Sequence, residues 1–120
     1  MRAGRPNLLL VMVDQLAARF LPCYGHPVVR APALERLADD GVRFTSAYTP
    51  SPLCAPARFA MMSGQLNSRI GAYDNASELA AAVPTFAHHL RAGGYQTCLV
   101  GKMHFIGPDQ LHGFERRLTT

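Results

Sequence analysis

The most pronounced apolar stretch along the chain is Leu8-Leu9-Leu10-Val11-Met12-Val13, closed by Asp14-Gln15. It does not alternate, which predicts a strand buried on both faces, as in a parallel sheet covered by helices. An irregular stretch containing Pro22, Gly25 and Pro27 follows. Residues 31–40 predict a helix, with Pro32 near its start, Leu34, Leu37 and Ala38 on one face and Gly41 as its stop. Residues 42–45 read as a short strand. Pro50, Pro52 and Pro56 break the region around Cys54, and a helix is predicted over 55–62, ended by Ser63-Gly64. The stretch 65–83 is mixed, with a turn at Tyr73-Asp74-Asn75. Residues 85–92 predict a helix capped by Thr85 and stopped by Gly93-Gly94. A second buried strand is expected over 95–100, running into Gly101-Lys102-Met103-His104. There is no repeat, low-complexity linker or evident domain boundary. The alternation of strands and helices predicts an α/β fold with a largely parallel sheet.

Ligands of open α/β sheets sit beyond the carboxyl ends of the strands. Asp14 and the Lys102/His104 pair fall just past two such ends, so a common cleft is one reading. Solvated loop residues are the other, for each taken singly. Composition narrows the classes. In 120 residues, 48% are apolar and 17% charged, which describes one small globular domain. A net charge of +4, with 12 basic and 8 acidic residues, suits an anionic ligand. Lys102 is the sole lysine and no basic run exists, which argues against nucleic acid. The apolar run is far short of the roughly 20 residues of a membrane span, and Asp14 ends it before it reaches the usual length of an export signal. A cytoplasmic, soluble protein is therefore expected. Cys23, Cys54 and Cys98, an odd number at wide spacing, predict neither a disulfide framework nor a zinc site.

The segment Ser51-Pro52-Leu53-Cys54-Ala55-Pro56-Ala57-Arg58 is the most informative. Pro56 suits the first turn of a helix, which puts Cys54 at or just before a helix N-terminus, where backbone donors and the dipole favour an anion. Arg58, four residues on, shares a helical face with Cys54. A guanidinium beside a nucleophile suits a tetrahedral oxyanion such as sulfate or phosphate. A buried free thiol with a surface arginine is the competing account. His88 and His89 diverge as neighbours on a helix. Neither these two nor His26 and His112 receive a site role. Cys98 is expected in the core, Cys23 has no evident role, and the Asn75-Ala76-Ser77 sequon is taken as chance.

CAPARFAMMSG resembles the signature of the type I, formylglycine-dependent sulfatases of the alkaline phosphatase-like superfamily, Cys-x-Pro-[Ser/Ala]-Arg followed by an apolar pair and glycine. The second signature of that family is similar to Gly94-Tyr95-Gln96-Thr97-Cys98-Leu99-Val100-Gly101-Lys102-Met103-His104, and the order of the two is right. The stretches 31–37 and 41–44 also look like this family. Within it, Tyr73-Asp74-Asn75-Ala76 and GKMHFIGPDQLHGFERRLTT resemble the choline sulfatase subgroup. Asp14-Gln15 departs from the two adjacent aspartates of many members, and Ser63 stands where threonine is usual.

The resemblance implies the N-terminal portion, 1–120, of a catalytic domain with an α/β/α sandwich and a mostly parallel sheet. It implies that a maturation enzyme oxidises Cys54 to formylglycine, whose hydrate is the nucleophile. Asp14 and the Cys54-derived hydrate would be ligands of a divalent cation, calcium first, with magnesium or manganese as alternatives. Arg58 would hold the hydrate, Lys102 a sulfate oxygen, His104 would transfer protons, and Asn75 is a further candidate for substrate contact. The implied substrate is a small sulfate ester of a choline-like alcohol, and a homo-oligomer is possible in the full-length form. A formylglycine-dependent phosphonate monoester or phosphodiester hydrolase is an alternative, as is a non-catalytic fragment that binds an anion or a partner. Further acidic ligands of the family lie downstream, so the 120 residues alone are expected to be inactive.

Overall fold

The computed structural model describes residues 4–119. The chain divides between Ala47 and Tyr48 into two compact units. Its α/β architecture carries a parallel sheet flanked by helices.

In the first unit, short 3-10 turns at Ala18–Phe20 and Pro22–Tyr24 precede helix α1, Pro32–Asp40. Pro32 opens α1 as its spacing predicts. Gly41 is required at its end, because a Cβ there would lie 2.8 Å from the Leu37 carbonyl oxygen. Two predicted strands of this unit do not form. Residues 8–13 make no strand, and their side chains are 41–88% exposed. A strand buried on both faces needs ladder partners and covering helices, and the described residues of this unit supply neither. Residues 42–45 are likewise irregular. Their polar groups serve the second 3-10 turn instead: Tyr24 Oη donates to the Phe44 carbonyl at 2.8 Å, and Arg43 donates to the Cys23 carbonyl.

The second unit holds helices α2, Cys54–Ser63, α3, Asn67–Ile70, and α4, Phe86–Ala92, with strands β1, Cys98–Val100, and β2, Arg116–Leu118. Helix α2 ends at Gly64, in the left-handed conformation (φ 66°). Thr85 caps α4 as expected, and His88 Nδ1 returns the bond by accepting the Thr85 N–H at 3.1 Å. Strands β1 and β2 pair in parallel, Leu99 opposite Arg117. The strand expected over 95–100 is thus shorter, and only Leu99 of its three residues is buried. Cys98 is exposed, not in the core, because side chains of a strand alternate and Leu99 takes the inward position. Phe59 and Met62 of α2, Ala87 of α4, Leu99, Phe105 and Phe114 share one apolar core. The Phe59 and Phe105 rings stack at 6.3 Å between centroids, and Phe86 meets Phe114 edge to face at 6.0 Å. That core clamps α2 against the segment that follows β1.

Candidate active site

Cys54 is the first residue of α2 and is partly buried. The predicted helix thus begins one residue earlier, which seats the thiol in its first turn. The open row of backbone donors expected there is absent. Ala55 N–H donates to Asn75 Oδ1 at 3.0 Å, Ala57 N–H donates to the Leu53 carbonyl at 2.9 Å, and Pro56 has no N–H. What this end of α2 offers an anion is therefore its dipole, with those amides already engaged.

Arg58, one turn further on, is 6% exposed. Its Nη1 donates to the Lys102 carbonyl at 2.7 Å and lies 3.7 Å from Met103 Sδ. The helix carrying Cys54 is thereby joined directly to the segment carrying Lys102 and His104, although 44 residues separate Arg58 from Lys102. A surface arginine, the alternative left open by spacing, is excluded. The Lys102 side chain is exposed and Met103 beside it is buried. His104 is not on the face of a continuing strand: β1 ends at Val100, Gly101 turns the chain (φ 91°), and His104 itself sits at φ 60°. A histidine in the left-handed region is uncommon and strained, and such strain gathers at functional sites. Its Nδ1 is buried without a hydrogen-bond partner among the described residues.

Asn75 enters through its oxygen, which accepts from Ala55 N–H. Asp14 lies in the first unit and the other site residues in the second. Among the described residues no three His, Cys, Asp or Glu side chains gather closely enough to hold a metal ion. These residues therefore do not by themselves form the oxygen-rich shell of a hard cation. Cys23 lines a cavity of about 420 Å³ in the first unit with Glu35, Asp39 and Arg43.

Sequence reading gives no role to Asn67 or His112, both of which the fold buries. Asn67 is buried and donates through Nδ2 to the Pro56 carbonyl at 2.8 Å and to the Ala72 carbonyl at 3.0 Å. Its neighbours in sequence give no signal for this. His112 is fully buried, packed at 4.4 Å on the Phe105 ring, with its carbonyl accepting from Thr85 Oγ1 at 2.6 Å. Burial pushes its pKa below the ordinary value, partly opposed by Asp109, whose carboxylate lies 3.4 Å away. Asp109 is held low chiefly by the His112 backbone N–H, with Leu111 N–H adding to it against desolvation. The spacing of Asp109 and His112, three residues apart, is the signal available, since an Asp side chain can accept the backbone N–H groups two and three residues on.

A thiol in a helix's first turn, a buried arginine one turn on, and a lysine and strained histidine after a parallel strand thus lie on two segments that the Arg58 bond ties together. The sulfatase family profile matches residues 6–117, and the chain belongs to that family, within the alkaline phosphatase-like superfamily. It is 57% identical over 120 residues to the choline-sulfatase of Rhizobium meliloti (strain 1021), covering all of this chain and 23% of that protein. It is 40% identical over 128 residues to arylsulfatase A of Bos taurus, covering 97% of this chain and 25% of that one. The fold superposes on the phosphonate monoester hydrolase of Agrobacterium radiobacter with a TM-score of 0.85 at 30% identity, covering 96% of this chain and 26% of that chain. The chain thus spans about a quarter of the length of the curated relatives it matches. No helix among the described residues is long and apolar enough to cross a membrane.

Proposed function

We propose that residues 1–120 supply the nucleophile-bearing part of a hydrolase that cleaves sulfate esters of a small, choline-like alcohol. The observation that supports this is the Arg58–Lys102 bond, which ties the segment carrying Cys54 to the segment carrying Lys102 and His104. Identity of 57% to a choline-sulfatase supports the choice of alcohol.

In this reading a maturation enzyme, with an external oxidant, converts the Cys54 side chain from –CH2SH to –CHO, sulfur leaving as sulfide. Water adds to the aldehyde. One hydroxyl of the hydrate attacks sulfur, its proton passing to solvent, and the S–O bond to the alcohol breaks. His104 gives the departing alkoxide its proton and afterwards accepts one from the second hydroxyl. Collapse of that group to the aldehyde releases sulfate, and water restores the hydrate. Arg58 orients the hydrate from its buried seat. Lys102 takes a sulfate oxygen as a point charge, and Asn75 reaches substrate with its amide nitrogen. Asp14 and the Cys54-derived hydrate are the donors this chain offers a divalent cation, calcium foremost and magnesium or manganese next. Six or more oxygens are needed, so other donors complete any such site. A cytoplasmic location and assembly of the whole protein as a homo-oligomer are compatible with this reading.

The test uses the whole protein coexpressed with a maturation enzyme. The Cys54 peptide loses about 18 Da, and Cys54→Ala abolishes turnover of choline sulfate while sulfate still binds. A fully active, unmodified thiol refutes the mechanism. The likeness to a phosphonate monoester hydrolase favours a second reading, a formylglycine-dependent hydrolase of phosphonate monoesters or phosphodiesters. Faster turnover of those esters than of sulfate esters selects it. Anion binding without turnover of any ester by matured protein selects the non-catalytic reading.

A further inference from the structure

The first turn of α2 is held by two asparagines from outside the helix. Asn75 Oδ1 accepts the Ala55 N–H at 3.0 Å, and Asn67 Nδ2 donates to the Pro56 carbonyl at 2.8 Å. Ala55 and Pro56 are the two residues after Cys54, and both are buried. Asn67 also donates to the Ala72 carbonyl at 3.0 Å, so it ties α2 to the stretch entering the loop that carries Asn75. That loop is closed on itself. Asp74 Oδ1 accepts from Ala76 N–H at 3.0 Å and from Ser77 Oγ at 2.9 Å, while Ser77 Oγ accepts from Tyr73 N–H at 3.1 Å and Asp74 N–H at 3.2 Å. The result is a circuit from α2 through Asn67, Ala72 and the turn, back through Asn75 to α2.

Helix α2 has need of it. Its flanking residue Leu53 offers no side-chain cap, and Pro56 cannot donate. The Ala55 N–H, buried beside Cys54, would otherwise be orphaned, which a folded chain avoids. Because an N–H only donates, Asn75 must present its oxygen, and its amide nitrogen is turned away from this bond.

We propose that Asn75, with Asn67 behind it, is a positioning residue for Cys54: its oxygen fixes the first turn of α2, and so the place of the nucleophile, separately from any contact its nitrogen makes with substrate. This rests on Cys54 being the nucleophile, as in the reading above. Small displacements of a reacting atom cost rate far more than they cost binding.

The roles separate by variant. Asn75→Ala removes oxygen and nitrogen; Asn75→Asp keeps an acceptor for Ala55 and removes the donor. The experiment compares matured wild type and both variants of the whole protein by hydrogen exchange at Ala55 and by kcat and KM for a sulfate ester. Loss of a cap corresponds to about a two- to thirtyfold effect. Asn75→Ala is expected to speed Ala55 exchange and lower kcat within that range. Asn75→Asp is expected to restore Ala55 protection and to keep kcat above that of Asn75→Ala, with KM carrying the loss of the amide nitrogen in both. Unchanged Ala55 exchange in Asn75→Ala overturns the clamp. A kcat as low in Asn75→Asp as in Asn75→Ala, with Ala55 protected, overturns the positioning role. A wild type that turns over no ester removes the hydrolase reading and its positioning corollary, while exchange at Ala55 still decides the clamp.

Discussion

Arg58→Ala is the perturbation that most directly probes the join between the two signatures. The guanidinium is buried and donates to the Lys102 carbonyl at 2.7 Å. A hydrogen bond from a charged donor contributes about 1.5–3 kcal/mol net. Expressed wholly in the rate, that is about 10- to 150-fold. If the same guanidinium also meets the hydrate or the sulfate, the loss reaches the roughly 10²–10³-fold of a missing oxyanion donor. Removal also takes the charged donor from the partly buried Lys102 carbonyl, at up to about 1–3 kcal/mol of folding stability. The assay therefore has two channels, kcat and KM of the matured whole protein on a sulfate ester, and urea denaturation of the same preparation. The expected outcome is a fall in kcat of about 10²–10³-fold together with the stability loss. Arg58→Lys keeps the charge but lacks the planar fork, so it should recover stability better than rate. A rate change below about threefold with the stability loss intact would reduce Arg58 to a structural tie. No change in either channel would refute the contact itself.

The other expectations concern the loop behind the site. His112 has its pKa lowered by burial, so the unfolded chain takes up that proton first. Stability is full above about pH 6.5 and declines as pH falls below it, and Asp109, lowered chiefly by the His112 N–H, adds its own loss only below about pH 4. Urea midpoints measured across pH should show this, and His112→Phe should flatten the upper part of the decline. Gly113→Ala should cost at least about 1–3 kcal/mol, because Gly113 sits at φ 96° and a Cβ would come within 2.6 Å of His88 Nδ1 and 2.7 Å of the His88 backbone nitrogen; an unchanged midpoint would contradict that packing.

Helices α1, α2 and α4 were legible because their signals are local: Pro32 at a first turn, Gly64 in the left-handed conformation, Thr85 as a cap. Strands were read poorly because they depend on neighbours. The apolar residues 8–13 form none, whereas Arg116–Leu118, with two arginines, pairs in parallel with Cys98–Val100. At the site, Cys54, Arg58, Lys102 and His104 stood out through spacing and motif. Their connections did not. Arg58 reaches a main-chain carbonyl, and main-chain atoms leave no trace in residue identity. Asn67 and Asn75 act across chain separations of 11 and 20 residues, which only the fold defines.

The apolar run at residues 8–13 has a consequence for biosynthesis. Residues 8–13 contain no charge and no proline, and their β-branched and leucine side chains have the make-up of a self-associating segment. On the ribosome they emerge ahead of β1 by roughly 4–17 s at ordinary elongation rates. Through that interval their backbone can template a second nascent copy. Arg5 and Asp14 bracket the run at either end, where charges interrupt stacking between copies. Neutralising both would be felt first in the yield of soluble chain, before any effect on the finished fold.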